Sequence, residues 1–244
     1  MQLKVFLKLN TELTLPINYN HILQGIIYHS ASSVDSSHTK KLHDEGVAVE
    51  NYSSTKFKLF SFSKIIGKYK ISEKNIIFSD NIFFEIRSAD PYFIFLIYEG
   101  FKKNGIRFKD KVLIPKLEIC NKIITNNNIY IQTLSPIIAI KNSEDGKKEF
   151  LSPMSNDFAS YINNNFINKY TSLYGNPPKS NIDLMVADIT YKDKCVTNFK
   201  DIYLTAWNGT YFLNGEPEML TFLYNVGLGS KNSQGFGLFN IIEE

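Results

Sequence analysis

A chain of 244 residues, 43% hydrophobic and 14% aromatic, has room for one large domain or two small ones and enough apolar mass to exclude global disorder. Its formal charge is only +3, carried by lysine with arginine at Arg87 and Arg107 alone, a balance that permits an anionic partner without demanding one. Cys120 and Cys195, without a CxxC or Cys/His cluster, exclude a disulfide framework and a structural zinc site.

In chain order, Gln2–Leu9 alternates as a strand and lacks the apolar core of a signal peptide. Leu15 and Pro16 lead into Asn18–Ser32, where Tyr19, Ile22, Leu23, Ile26 and Ile27 recur at helical spacing. His21, Gln24 and Tyr28 share another face of that helix. Short polar residues follow to about Glu50. KFKLFSFSK, Lys56–Lys64, alternates cleanly, as does Asn81–Arg87 after a turn-rich stretch. Asp90 as cap and Pro91 at the first position start a second helix, which Lys102-Lys103-Asn104-Gly105 closes with cations and a glycine. Its apolar run, Tyr92 to Tyr98, is far short of the roughly 20 residues that span a bilayer, so a soluble, cytoplasmic protein without membrane contact is expected. Val112–Ile119 is a further strand.

The stretch TNNN at 125–128 reads as a linker, dividing the chain into domains 1–124 and 125–244. After it the order begins again. Ile129–Ile140 is strand-like, interrupted by Ser135-Pro136. Asp157–Tyr174 is a helix carrying Phe158, Tyr161, Ile162, Phe166 and Tyr170, and Gly175-Asn176-Pro177-Pro178 stops it. Ile182–Thr190 and Ile202–Leu213 are strands, Glu216–Val226 a short helix, and Phe236–Ile242 a last strand. Both halves therefore read β-α-β-β-α-β, which predicts an α+β fold of two tandem ferredoxin-like domains.

The last helix–strand junction reads VGLGSKNSQGFGLF over residues 226–239, with Gly227, Gly229, Gly235 and Gly237 spaced G-x-G-x5-G-x-G. One glycine suffices for a cap. Glycines admit positive φ and close approach of a ligand, successive N–H groups can form an anion site, and Lys231, Asn232, Ser233 and Gln234 add a cation and neutral donors. A P-loop fails because the lysine is misplaced and a strand follows, and a dinucleotide loop fails on spacing and context. The remaining alternative is a glycine-rich turn packed between two sheets.

All four histidines, His21, His29, His38 and His43, fall within 23 residues. They form either an acid/base site or a chance cluster on a polar helix and loop. Metal binding is a third option, since His38 and His43 lie near Asp35 and Asp44, but no known ligand spacing is present.

The glycine loop, LPINYNHILQGIIY at 15–28, TLSPIIAI at 133–140 and LTAWNGTYFLNG at 204–215 together resemble the RAMP proteins of CRISPR systems. Within them the chain resembles the repeat-processing endoribonucleases, the sixth CRISPR-associated protein family. The resemblance spans both halves in the family's order. It implies cutting of the repeat in a long CRISPR transcript to release guide RNAs. Archaeal members have a Tyr–His–Lys set, which maps onto Tyr28 in LQGIIYHS, His43 in KKLHDEG and Lys58 in FKLFSFS. This chain has extra residues between the last two, and bacterial relatives vary the set, which leaves His38 and His29 as rivals to His43.

The implied chemistry requires no cofactor and no metal, because RNA carries its own nucleophile. A base takes the 2′ proton, an acid protonates the 5′ oxygen, and cations stabilise the pentavalent phosphorus. Products are a 2′,3′-cyclic phosphate and a 5′-OH. The aromatic RNP1 pattern of RRM domains is absent, so CRISPR repeat RNA is expected in an inter-domain cleft, on the loop residues Gly227, Gly229, Ser230, Lys231, Asn232, Ser233, Gly235 and Gly237, and on Lys40 and Lys41. Lys147-Lys148 in EDGKK reads as a solvated hairpin. Two rival readings are a non-catalytic RAMP subunit that holds guide RNA in a CRISPR effector complex, and a general RNA-binding module. The resemblance leaves a homodimer open.

Overall fold

The computed structural model describes residues 1–47, 56–142, 148–199 and 202–243. The N-terminal half runs β1 (Gln2–Leu7), β2 (Leu13–Pro16), α1 (Asn20–Ser32), α2 (Ser36–Asp44), β3 (Phe60–Phe62), β4 (Ile66–Ser72), β5 (Asn75–Ser88), α3 (Pro91–Asn104), a small hairpin of β6 (Ile106–Phe108) and β7 (Lys111–Leu113), and β8 (Lys116–Cys120). Its sheet has the order β2-β5-β1-β8, and β3 and β4 also pair with the long β5. The C-terminal half runs β9 (Asn128–Thr133), β10 (Ile140–Asn142), β11 (Lys148–Phe150), α4 (Asp157–Tyr174), β12 (Asp183–Asp188), β13 (Lys194–Phe199), β14 (Ile202–Trp207), β15 (Thr210–Asn214), α5 (Pro217–Val226) and β16 (Phe239–Glu243). Its sheet has the order β12-β15-β9-β16. In both sheets the first strand of the β-α-β-β-α-β unit lies between the third and the last, so the fold is a tandem of ferredoxin-like units.

Each half has its own core. Alternation on β1 turns Leu3, Val5 and Leu7 inward under α1, whose Leu23, Ile27 and Ala31 recur at i, i+4 and i+8. Gly100 of α3 lets the two helices close up, since a Cβ there would stand 2.2 Å from the Ser30 carbonyl oxygen. In α4 the stripe Phe158, Ile162, Phe166 and Tyr170 is buried, and Gly175 closes the helix in the left-handed conformation.

The halves are joined by polar groups as well as apolar ones. Arg87 on β5 is fully buried. It donates to Glu85 Oε2 at 2.6 Å and across the interface to the Phe239 carbonyl at 2.6 Å, and its guanidinium lies 3.7 Å from the centre of the Tyr224 ring. A buried guanidinium needs such partners because an uncompensated charge there is strongly destabilising.

Several elements differ from the sequence expectations. α2 forms where only polar loop was expected, because Asp35 caps it and Thr39 and Leu42 anchor it to the core. β4 occupies the turn-rich stretch as an exposed edge strand paired with β5. Of Lys56–Lys64 only Phe60–Phe62 is a strand. Ile202–Leu213 breaks into β14 and β15 around Gly209, whose φ is 137°. The last strand begins at Phe239 because the preceding residues belong to the glycine loop. Residues 144–147 of the EDGKK segment and the end of the polar stretch, 48–50, lie outside the described residues. Among the described residues no helix is long and apolar enough to cross a membrane.

Candidate functional site

Tyr28 sits in the last turn of α1, half-buried, with its ring edge-on to Phe60 at 5.5 Å between centroids. On its other side it meets the His43 ring edge-on at 4.8 Å. Burial pushes the Tyr28 phenol well above its ordinary value, so it remains a protonated donor. His43 lies at the end of α2, one residue beyond the anchor Leu42, and its side chain is 61% exposed. Its Nδ1 is 2.8 Å from Asp44 Oδ1. An Asp44 carboxylate that accepts the Nδ1 proton leaves Nε2 as the basic nitrogen. Lys58 Nζ donates to the His43 carbonyl. Burial and the neighbouring Lys56 lower the Lys58 ammonium from its ordinary value, opposed by Asp44. Tyr28, His43 and Lys58 thus converge.

The other histidines stand apart. His38 Nε2 is 2.8 Å from Asp90 Oδ2, while Asp90 Oδ1 caps α3 by accepting from the Tyr92 and Phe93 N–H groups. That contact ties α2 to the start of α3. His29 is exposed on the last turn of α1, and His21 Nδ1 bonds the Asn18 carbonyl at 2.9 Å at the start of that helix. Among the described residues no three His, Cys, Asp or Glu side chains gather as a metal site would require.

Lys58 also lines a cleft of about 610 Å³ between the halves. Lys56, Lys58, Lys148, Lys169 and Lys231 line it, and no described carboxylate does. Such a wall of cations attracts anions. The far side is formed by the glycine loop, which contributes Gly229, Ser230, Lys231, Asn232, Ser233 and Gln234. Burial, and to a lesser degree Lys148, lowers the Lys231 ammonium. Lys148, expected in a solvated hairpin, is exposed at the start of β11 in the β10–β11 hairpin and also lines this cleft; Lys147 lies outside the described residues. Lys40 and Lys41 are exposed on α2 and are not part of the cleft wall.

The loop's four glycines all have positive φ, between 64° and 85°. Protein atoms, however, fill the space beside them. A Cβ on Gly237 would lie 1.9 Å from the Leu228 carbonyl oxygen, one on Gly229 2.3 Å from the Ile138 oxygen, and one on Gly235 2.4 Å from the Phe62 ring. Gly227, Gly235 and Gly237 are buried and lie off the cleft wall, unlike Gly229, which lines it. The loop is stitched into both halves, as a packed turn would be. Asn20 Nδ2 donates to the Gln234 and Gly235 carbonyls, and Gln24 Nε2 to Ser233. Asn232 is buried and donates to Leu228 and Phe236 within the loop.

Lys169 of α4 was not anticipated. Its ammonium is buried and donates to the Gly227 and Gly229 carbonyls at 2.9 and 2.7 Å. Burial lowers it from 10.5 to about 7. Tyr161, two turns earlier on the same face, bonds Ser230 Oγ at 2.6 Å. The signal was present in the polar positions 161, 164, 165, 168 and 169, which alternate with the core stripe of the same helix.

Comparisons with known proteins agree with this architecture. Residues 117–241, just over half of the chain, match the family described as CRISPR associated protein Cas6, C-terminal. The chain is similar to a CRISPR-associated endoribonuclease Cas6 of Pyrococcus furiosus, 27% identical over 93% of this chain and 83% of the relative. It is also similar to CRISPR-associated endoribonuclease Cas6 1 of Methanocaldococcus jannaschii, 28% identical over 100% of this chain and 94% of the relative. A solved Cas6-related protein from Pyrococcus furiosus superposes with a TM-score of 0.82 at 25% identity, covering 100% of this chain and 99% of the other. Similarity of sequence and architecture along the whole chain, with a family match over its C-terminal half, places it: the chain belongs to the Cas6 family of CRISPR-associated proteins.

Proposed function

We propose that this protein is a CRISPR repeat endoribonuclease that cuts the precursor transcript by attack of the RNA's own 2′-OH. One observation carries the reading. Tyr28, His43 and Lys58 meet at the edge of a cleft lined by five lysines and no described carboxylate. The names of the relatives support the reaction class. Residues 1–124 would carry the reacting groups and residues 125–244 the glycine loop.

His43, oriented through Nδ1 by Asp44, offers Nε2 to remove the 2′ proton. The oxygen then attacks the adjacent phosphorus, closing the 2′,3′-cyclic phosphate while the bond to the 5′ oxygen breaks and that oxygen takes a proton from water to leave as the 5′-OH. Lys58 Nζ meets the charge that builds on the phosphoryl oxygens. Tyr28, whose phenol burial keeps protonated, donates a hydrogen bond and orients the His43 ring; it cannot serve as a base. Lys56, Lys148 and Lys231 hold neighbouring phosphates and fix the register of the strand, while Lys169 stays committed to the glycine loop.

The test uses RNA containing the repeat of the host array, and a copy with 2′-deoxy at the scissile nucleotide. The all-ribose RNA is cut in EDTA to a 2′,3′-cyclic phosphate and a 5′-OH, while the deoxy copy is bound and left intact. Cleavage of the deoxy copy, or loss of cutting in EDTA, refutes the mechanism. Tight binding without cleavage of either favours a guide-holding subunit of an effector complex.

A further inference from the structure

On α4, positions 161, 164, 165, 168 and 169 all line the cleft, at the i, i+3, i+4, i+7 and i+8 spacing of one helix face. The ends of this stripe are committed to the glycine loop, Tyr161 through Ser230 and Lys169 through Gly227 and Gly229. Between them stand three asparagines. Asn165 Oδ1 is shut off from solvent and has no hydrogen-bond partner among the described residues, and the same is true of Gln234 Oε1 on the loop. Both residues line the cleft.

Buried polar atoms are normally paired, so an orphan at a binding surface calls for a partner. A phosphate cannot supply it, because a phosphate diester and an amide oxygen are both acceptors. Lysines suit the backbone, and these two oxygens suit a ligand that brings N–H donors. In RNA the donors that differ between nucleotides are on the base edges, which unpaired bases expose. An amide is also a planar acceptor–donor pair, matched to an amino group beside a ring nitrogen.

We propose that Asn165 and Gln234 form a base-reading pair that accepts hydrogen bonds from the exocyclic amino group of an unpaired base, while the cleft lysines hold its phosphates. The inference rests on the reading that RNA occupies this cleft. It assigns sequence preference to the C-terminal half, separately from the reacting groups.

The test is a binding cycle with the 2′-deoxy repeat RNA, so that cutting plays no part. Adenosines, cytidines and guanosines are replaced one at a time by analogues lacking the amino group, and affinity is measured for the wild type, Asn165→Leu, Gln234→Leu and the shape-preserving Asn165→Asp. At one position the wild type loses about tenfold or more on amino deletion. Asn165→Leu or Gln234→Leu, folded by circular dichroism, binds both RNAs equally there, and Asn165→Asp, which keeps the acceptor, retains the discrimination. A wild type indifferent to amino deletion at every position, yet preferring repeat to scrambled RNA, overturns the base-reading pair and leaves the proposed function standing. Leucine variants that keep full discrimination also overturn it. Equal binding of repeat and scrambled RNA overturns both readings.

Discussion

Replacing Gly237 by alanine separates the two roles a glycine loop can have. Gly237 and Gly175 share nearly the same φ, 75° and 76°. At Gly175 an added Cβ meets nothing within 4 Å. Gly175→Ala therefore costs only the left-handed penalty, about 1 kcal/mol after the gain from a stiffer unfolded chain. At Gly237 the same Cβ lies 1.9 Å from the Leu228 oxygen and 2.7 Å from Asn232 Nδ2. To relieve this the loop must part, breaking the Leu228 N–H bond to the Gly237 carbonyl and the Asn232 bonds to Leu228 and Phe236. At about 1 kcal/mol for each buried hydrogen bond, Gly237→Ala costs roughly 4 kcal/mol, a large share of the stability of an ordinary domain. Urea unfolding reads this as a drop in midpoint at constant slope. Equal midpoints for the two variants would refute the crowding argument. So would a Gly237→Ala protein as stable as Gly175→Ala that had lost RNA affinity, because the loop backbone would then serve the ligand.

His43→Ala lowers cleavage by roughly 10²- to 10⁴-fold with repeat affinity within a few-fold, whereas His38→Ala, which loses the Asp90 contact, lowers stability and spares the chemistry; the reverse outcome in single-turnover assays refutes the assignment. Lys169 is protonated to 10.5 in the unfolded chain and to about 7 in the folded one, so the folded state sheds a proton first and stability rises between those pH values. The wild type minus Lys169→Met stability difference therefore climbs with pH, by about 5 kcal/mol if the full shift is expressed, and a flat difference curve contradicts the burial. If Lys231 contacts a phosphate, Lys231→Ala reduces the slope of log K against log salt by roughly 0.7 on single-stranded RNA, while Lys40→Ala, off the cleft wall, leaves it unchanged; titrations at several salt concentrations decide.

The elements legible in the sequence are those whose burial repeats locally. The stripe Phe158, Ile162, Phe166, Tyr170, the alternation of β1 and the Asp90-Pro91 helix start report which face turns inward, and their order already spells the doubled β-α-β-β-α-β plan. α2 escaped because only Thr39 and Leu42 of its nine residues are buried, and β4 because an exposed edge strand is held by backbone pairing to β5 and has no buried face. For the site, the family motifs single out Tyr28, His43 and Lys58, and the glycine spacing marks its loop. Their meeting depends on helices and strands distant in the chain, which periodicity does not report. The glycines need φ above zero and room beside them, but only the folded chain shows that Leu228, Ile138 and Phe62 take that room. Likewise a lysine in a helix reads as solvated until packing buries it against two loop carbonyls. Local pattern sets which side of an element is apolar; which distant atoms fill the remaining space, and so which charges are desolvated, is decided by tertiary packing.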